Sequence, residues 1–250
     1  MPSMIWEAAH LVRQAAHVVA LTGAGVSTRS GIPDFRSVRS GMWNHTDPLE
    51  VASIWTFYNQ PDVFYHWMRP LAQRIVAAEP NSAHRALAEL ERHGCLQAII
   101  TQNVDSLHQR AGSRHVLELH GHARSVRCLH CSHRASSEAL WADVLRGQQP
   151  APCPECGGAL KPDVILFGEP LPYEALSGAQ HEALACDVML VAGTSLEVMP
   201  AADLPMLAKR RGARLILVNL DPTPLDHAMD VVIRADVAKA LSQLARAILS

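Results

Sequence analysis

Four of the six cysteines form two Cys-x-x-Cys pairs, Cys128-Leu-His-Cys131 and Cys153-Pro-Glu-Cys156, separated by 21 residues. Two such knuckles present four thiolates tetrahedrally to Zn²⁺. Pro154, Gly157 and Gly158 suit a tight turn around the second pair. Four protein ligands close the shell and leave no position for a metal-bound water, so the implied zinc is structural. His122, His130 and His133 lie near, but four cysteines suffice. A second constellation is Thr22-Gly-Ala-Gly-Val-Ser-Thr-Arg-Ser-Gly-Ile-Pro-Asp-Phe-Arg36. Gly23 and Gly25 allow a sharp turn and close approach to a ligand. Ser27 and Thr28 are expected to cap a following helical turn whose free N–H groups attract phosphate. The dinucleotide fingerprint G-x-G-x-x-G would need glycine at position 28, and Thr28 stands there. Asp34, Phe35 and Arg36 add an acid, a ring and a cation beside the turn.

These groups need elements to hold them. Ile5, Ala8, Ala9, Val12 and Ala16 recur at helical spacing and predict a helix packed on the first strand, Val18–Thr22. From Ser37 to about Arg74 the chain is irregular and then helical. It carries Trp43, Trp55, Phe57, Tyr58, Phe64, Tyr65 and Trp67, enough for a small helical core of its own or for the wall of an apolar cleft. Residues 80–94 read as a helix capped by Asn81 or Ser82 and stopped by Gly94, with His84 and His93 as surface or packing residues. Strand 96–101 delivers Gln102-Asn-Val-Asp105, a helix starts at Ser106, and strand 116–119 ends at His120-Gly121. After the cysteine-bearing insert, Lys161–Glu169 returns to a strand and 171–186 to a helix. Strand 188–192 opens onto Gly193-Thr-Ser195, a second phosphate-suited turn. Helix 204–211, strand 215–218 ending at Asn219-Leu-Asp221, strand 231–233 and helix 237–249 complete the chain. Strands alternating with helices argue for an α/β fold with a parallel sheet, whose chemistry sits at the strands' carboxyl ends. Gln102, Asn103, Asp105 and His120 fall at such ends. Cys95 and Cys186 fit as small buried apolar residues.

Composition narrows the function. Hydrophobic residues make up 48% of the 250 and suffice for a core; the net charge of −2 gives no basic field for nucleic acid. Only three of the 22 basic residues are lysines (161, 209 and 239), which reads as compositional bias. No run of about 18 apolar residues spans a membrane. The first 16 residues are amphipathic rather than a signal peptide, so a cytoplasmic location is expected. In that compartment paired cysteines favour metal over disulfides.

The ordered set of motifs closely resembles the sirtuins, the NAD-dependent protein deacylases, from about Val18 to Asp236. It comprises Gly23–Arg36, Thr101–Asp105 with Leu107-His108, His120-Gly121, the four cysteines, Phe167-Gly-Glu169, Gly193–Leu196 with Pro200-Ala201, and Val218-Asn219. The resemblance implies a Rossmann-like domain (1–36, 76–121 and 162–250) and a small domain. The small domain would comprise a helical module (37–75) and a zinc module (122–161). NAD and acyl-lysine would meet in the cleft between. NAD contacts are implied at Ala24, Gly25, Thr28, Phe35, Arg36, Gln102, Asn103, Val104 and Asp105. Others fall at Gly193, Thr194, Ser195, Asn219, Leu220 and Val237. Phe35 would guard the nicotinamide side of the ribose, and Asn103 and Asp105 would position nicotinamide and its ribose. His120 is the implied catalytic histidine, Ile165 and Phe167 would flank the acyl-lysine tunnel, and Cys128, Cys131, Cys153 and Cys156 would hold the zinc. An extended peptide would pair with the backbone around Phe167–Glu169 by β-augmentation.

The implied chemistry is group transfer rather than hydride transfer. Nicotinamide is a cationic leaving group, and the amide oxygen is a weak nucleophile that the site must hold close to the anomeric carbon, a contribution of roughly 7–11 kcal/mol. An imidazole such as His120 serves as base for the following attack by a ribose hydroxyl. The products are free lysine, O-acyl-ADP-ribose and nicotinamide. Relatives that prefer acidic acyl groups carry Tyr-x-x-Arg, whereas Tyr65-His-Trp-Met68 has methionine there and Arg69 one residue on. Acetyl-lysine is therefore the expected substrate, with longer apolar chains open. Three other readings compete: a nicotinamide-dependent oxidoreductase, which lacks a hydride-acceptor site; a zinc-ribbon nucleic-acid binder built on Arg124, Arg127 and Arg134, which lacks interleaved aromatics; and an ADP-ribosylating or NAD-sensing relative.

Overall fold

The computed structural model describes residues 2–34 and 47–250. In chain order the elements are α1 (Pro2–Gln14), β1 (Val18–Thr22), α2 (Pro48–Val51), α3 (Ile54–Asn59), α4 (Pro61–Ala77), α5 (Ser82–Arg92) and β2 (Ala98–Thr101). There follow α6 (Leu107–Arg110), β3 (Val116–Glu118), β4 (Gly121–Cys128), β5 (Arg134–Ser136), α7 (Glu138–Arg146) and β6 (Leu160–Val164). The chain closes with α8 (Tyr173–Ala185), β7 (Val188–Ala192), α9 (Leu204–Arg210), β8 (Arg214–Asn219), β9 (Val231–Arg234) and α10 (Val237–Leu249).

Six strands form one sheet in the order β3-β2-β1-β7-β8-β9, with every pair parallel. Both faces are covered, so its strands read as continuous apolar runs. Alternation along each strand then assigns the faces. Val18, Ala20, Val188, Leu190, Ile216 and Val218 pack with α1, α5 and α10 on one side. Val19, Leu21, Met189, Val191, Leu215 and Leu217 pack with α8 and α9 on the other. The first helix ends at Gln14, earlier than its apolar spacing suggested, and Ala16 lies exposed beyond it. The strand order reverses between β1 and β7. That switch point opens a crevice at the strands' carboxyl ends.

β4, β5 and β6 form a separate antiparallel sheet in the order β5-β4-β6. The strand beginning at Lys161 therefore joins this small sheet, and the chain regains the parallel sheet only at β7. A third core unites it with α3, α4 and α7 through Phe57, Phe64, Tyr65, Met68, Val126, Val144 and Leu166. Phe57, Phe64 and Tyr65 meet edge to face with centroids 5.4–5.7 Å apart, the preferred aromatic geometry. The Tyr65 hydroxyl donates to the Leu160 carbonyl and ties the helices to the small sheet. Trp55 and Tyr58, by contrast, are exposed. Among the described residues no helix is long and apolar enough to cross a membrane.

Candidate active site and metal centre

The two glycine turns interlock at the switch point. Gly23 N–H donates to Ala192 O at 3.1 Å and Gly25 N–H to Gly193 O at 2.8 Å. A Cβ on Gly25 would stand 2.8 Å from Gly193 Cα, and one on Gly193, at φ +62°, only 2.5 Å from Val26 N. Glycine is thus required where one turn packs on the other. No continuous helix follows the first turn. Residues 24–26 and 28–30 form two short 3₁₀ turns, and Ser27 makes no capping bond. Thr28 is exposed, its hydroxyl donating to Gly25 O at 3.1 Å.

Ser27 turns inward instead. Its Oγ donates to Asp105 Oδ2 at 2.6 Å and accepts from Asn103 Nδ2 at 3.1 Å. Asn103 Nδ2 also reaches Gly23 O at 3.1 Å. Asp105 Oδ1 accepts the Leu107 N–H at 2.9 Å. Asn103 and Asp105 are both buried. Burial raises the Asp105 pKa, against the opposing pull of the Ser27 hydroxyl and the Leu107 N–H.

Behind this pair lie two histidines. Asn81 N–H donates to His84 Nδ1 at 3.3 Å, which places the neutral ring's proton on Nε2, 3.4 Å from Ser27 Oγ. His84 packs edge to face on His108 at 4.9 Å, and His108 Nε2 lies 3.0 Å from Thr22 Oγ1. Burial lowers the His84 pKa to about 4; burial, with His84 beside it, lowers that of His108 to about 3. Sequence alone predicts only a surface or packing role for His84. It is fully buried, completes the capping box of α5 and touches Ser27. Its spacing from Asn81 was the legible signal.

His120 sits half-buried just past β3, its Nδ1 2.9 Å from Gln102 O. Its carbonyl accepts the Ile165 N–H at 2.8 Å. Gln102 Nε2 donates to Thr194 Oγ1 at 3.0 Å, tying the end of β2 to the second glycine turn. Ser195 is half-buried beside buried Thr194. At the far end, Asn219 Nδ2 donates to Asp221 O at 2.8 Å, Leu220 is exposed, and Val237 is buried as the first residue of α10. Hydrogen bonds thus bring Gln102, Asn103, Asp105 and Thr194 together with the two glycine turns at the switch point. Phe35, Arg36 and Trp43 lie outside the described residues.

Phe167 is held on its backbone by α3's leading residues. Its N–H donates to Ala52 O at 3.0 Å and its carbonyl accepts from Ile54 N at 2.9 Å. Ile165 and Phe167 are half-buried on either side of buried Leu166, the alternation of an extended segment. Met68, Ala72, Ile75, Val104 and Trp141 line much of a cavity of about 490 Å³.

The four cysteine sulfurs all lie within 4.8 Å of one another. Cys128 and Cys156 Sγ are 3.4 Å apart and Cys131 and Cys153 Sγ 3.6 Å. Zinc–sulfur bonds of about 2.3 Å in a tetrahedron give edges of roughly 3.8 Å, so the donor set fits zinc. All four are thiols without disulfides.

Comparison with known proteins agrees with this geometry. The Sir2 family profile matches residues 23–200. An NAD-dependent protein deacetylase of Geobacillus kaustophilus is 45% identical over 91% of this chain and 92% of its own length. A solved structure addressing the mechanism and regulation of Sir2 enzymes superposes with a TM-score of 0.94, at 44% identity over 100% of this chain and 99% of that one. Sir2Tm bound to a propionylated peptide gives a TM-score of 0.87 at 36% identity, over 96% of each chain. With the interlocked glycine turns, the Asn103–Asp105 pair, His120 and the four-thiol centre in place, this chain belongs to the Sir2 family.

Proposed function

We propose that the protein removes acetyl groups from protein lysines in an NAD-dependent reaction. The observation that carries this reading is the convergence of His120, the Asn103–Asp105 pair and both glycine turns on one crevice, with the Ile165–Phe167 segment hydrogen-bonded to His120's own carbonyl. NAD supplies the ADP-ribosyl acceptor and the nicotinamide leaving group. The chain's residues bind, orient and move protons. The two glycine turns would lie against the phosphates of NAD; Asn103 and Asp105 would hold its nicotinamide ribose, and His120 would take a ribose hydroxyl proton. With its Nδ1 fixed on Gln102 O, the ring carries its proton there and keeps Nε2 as the basic atom. Cys128, Cys131, Cys153 and Cys156 hold the structural zinc, and a four-thiolate set suits a reducing compartment such as the cytoplasm.

The cavity beside Val104 supports an uncharged acyl group. Its two arginines are already engaged, Arg110 by Glu79 at 2.8 Å and Arg124 by Glu118 at 2.5 Å. Arg69 packs against Gly147. The nucleic-acid reading is weakened by the same pairing, since Arg127 and Arg134 bond Glu169 and Asp163. Incubation with NAD and acetyl-, butyryl- and succinyl-lysine peptides tests the proposal by mass spectrometry. Free nicotinamide, O-acetyl-ADP-ribose and deacetylated peptide are expected. Faster turnover of the succinyl peptide would overturn the acyl assignment, and growth of absorbance at 340 nm would indicate an oxidoreductase.

A further inference from the structure

Lys161 is one of three lysines among 22 basic residues, and it is fully buried. Its ammonium has three donors and meets three acceptors: Val164 O at 2.6 Å, Pro162 O at 3.0 Å and Glu169 Oε2 at 2.9 Å. A compact ammonium fills such a site, whereas a planar guanidinium cannot. Glu169 is equally committed. Oε2 also accepts the Leu166 N–H at 2.8 Å, and Oε1 accepts from Arg127 on β4 at 2.5 Å. The Glu169 N–H closes back onto Leu166 O at 3.0 Å. Leu166 is thereby fixed at both its amide and its carbonyl, while its side chain lies in the third core.

This brace sits between two parts of the site. Ile165, just before Leu166, donates to the His120 carbonyl, and Phe167, just after it, is bonded to Ala52 and Ile54. We propose that Lys161, Glu169 and Arg127 are positioning residues that set the Ile165–Phe167 segment at a fixed height against His120, and so determine affinity for the acyl-lysine peptide but not for NAD. The inference rests on the deacetylase reading above. The reason is geometric: a segment pinned through its central residue presents its flanking side chains in one register, and a one-residue slip would exchange their faces. Buried ionic groups often set register in this way rather than adding net stability.

The test uses the zinc-loaded full chain with three variants: Lys161→Met combined with Glu169→Gln, Glu169→Gln alone, and Lys161→Arg. The paired variant leaves no buried uncompensated charge on Lys161 or Glu169, and zinc content and the thermal midpoint establish that it folds. Steady-state kinetics with an acetyl-lysine peptide, and calorimetric titration with ADP-ribose, give the separate affinities. The expected result is a rise of about 10-fold or more in peptide KM, with kcat at saturating peptide and ADP-ribose affinity within about 3-fold of the parent. Lys161→Arg should behave like the paired variant, because charge without three-pronged geometry does not restore the segment. Unchanged peptide KM in the folded paired variant, or parallel loss of peptide and ADP-ribose affinity, would overturn the proposal. Should the parent itself form neither deacetylated peptide nor O-acetyl-ADP-ribose from peptide and NAD, the failure is of the deacetylase reading. Should only Glu169→Gln fold, the same KM split in that variant decides.

Discussion

Ser27 and Asp105, 78 residues apart in the chain, meet at 2.6 Å, and the Ser27 hydroxyl is saturated by that contact. It donates its one proton to Asp105 and accepts from Asn103 and from His84. The 3₁₀ turn after the glycines is therefore clamped onto the end of β2.

Removing the clamp tests its role. Ser27→Ala leaves a buried carboxylate short of one charge-assisted bond, a loss of about 1–3 kcal/mol. The expected outcome is roughly a tenfold or greater fall in kcat/KM for NAD, with zinc content unchanged. Steady-state kinetics at varied NAD would show it, and kinetics equal to the parent's would count against a role for the clamp.

Asp105 gives a pH dependence with a defined sign. Its folded pKa is raised, so the carboxylate that Ser27 and Leu107 bond is lost on acidification sooner than for an ordinary aspartate. Affinity for NAD should fall on the acid side, and Asp105→Asn should flatten that limb while lowering activity at neutral pH. An acid limb of unchanged position in the variant would assign it to another group.

The His84–His108 pair affects stability. Unfolded histidines take protons near 6.5, but these two stay neutral in the fold until about pH 4 and about pH 3. Their contribution is fully present above pH 6.5 and is lost as pH falls toward 4 and then 3. For His84 alone the linkage amounts to about 3 kcal/mol. Urea unfolding between pH 7 and pH 5 should show falling stability, with a shallower fall in His84→Asn. An identical slope in both proteins would contradict the assignment.

Gly193→Ala should be costly without touching the chemistry directly. Positive φ and a Cβ 2.5 Å from Val26 N both oppose the side chain. A loss of about 2–4 kcal/mol is expected, or roughly 5–10 °C in thermal midpoint. A midpoint within a degree of the parent's would show that the turns can separate freely.

His120→Ala separates chemistry from structure. His120 is half-buried just past the end of β3. Deacetylation should be lost while zinc content, thermal midpoint and ADP-ribose binding stay near those of the parent. Retained turnover would remove His120 from the mechanism.

Much of this protein is written locally in its sequence. The apolar runs of β1, β7 and β8 and the amphipathic period of α10 follow from short-range periodicity, because each strand and helix buries a face that neighbouring residues define. The four cysteines were legible for the same reason, since zinc ligation in knuckles depends on spacing within each pair. Residues whose roles depend on distant partners were not legible. Ser27 read as a helix cap and became Asp105's donor; His84 read as packing and lies under the site; Lys161 read as an ordinary strand residue and is the buried cation between two carbonyls and a carboxylate. β6 read as a strand with no partner assigned, and it pairs antiparallel with β4, because the strand signal fixes extension but not the partner. Local periodicity thus determined which elements form and where glycine and cysteine must stand. Tertiary structure alone decided which side chains meet, since burial drives polar groups to find partners and the partner is set by how the elements pack.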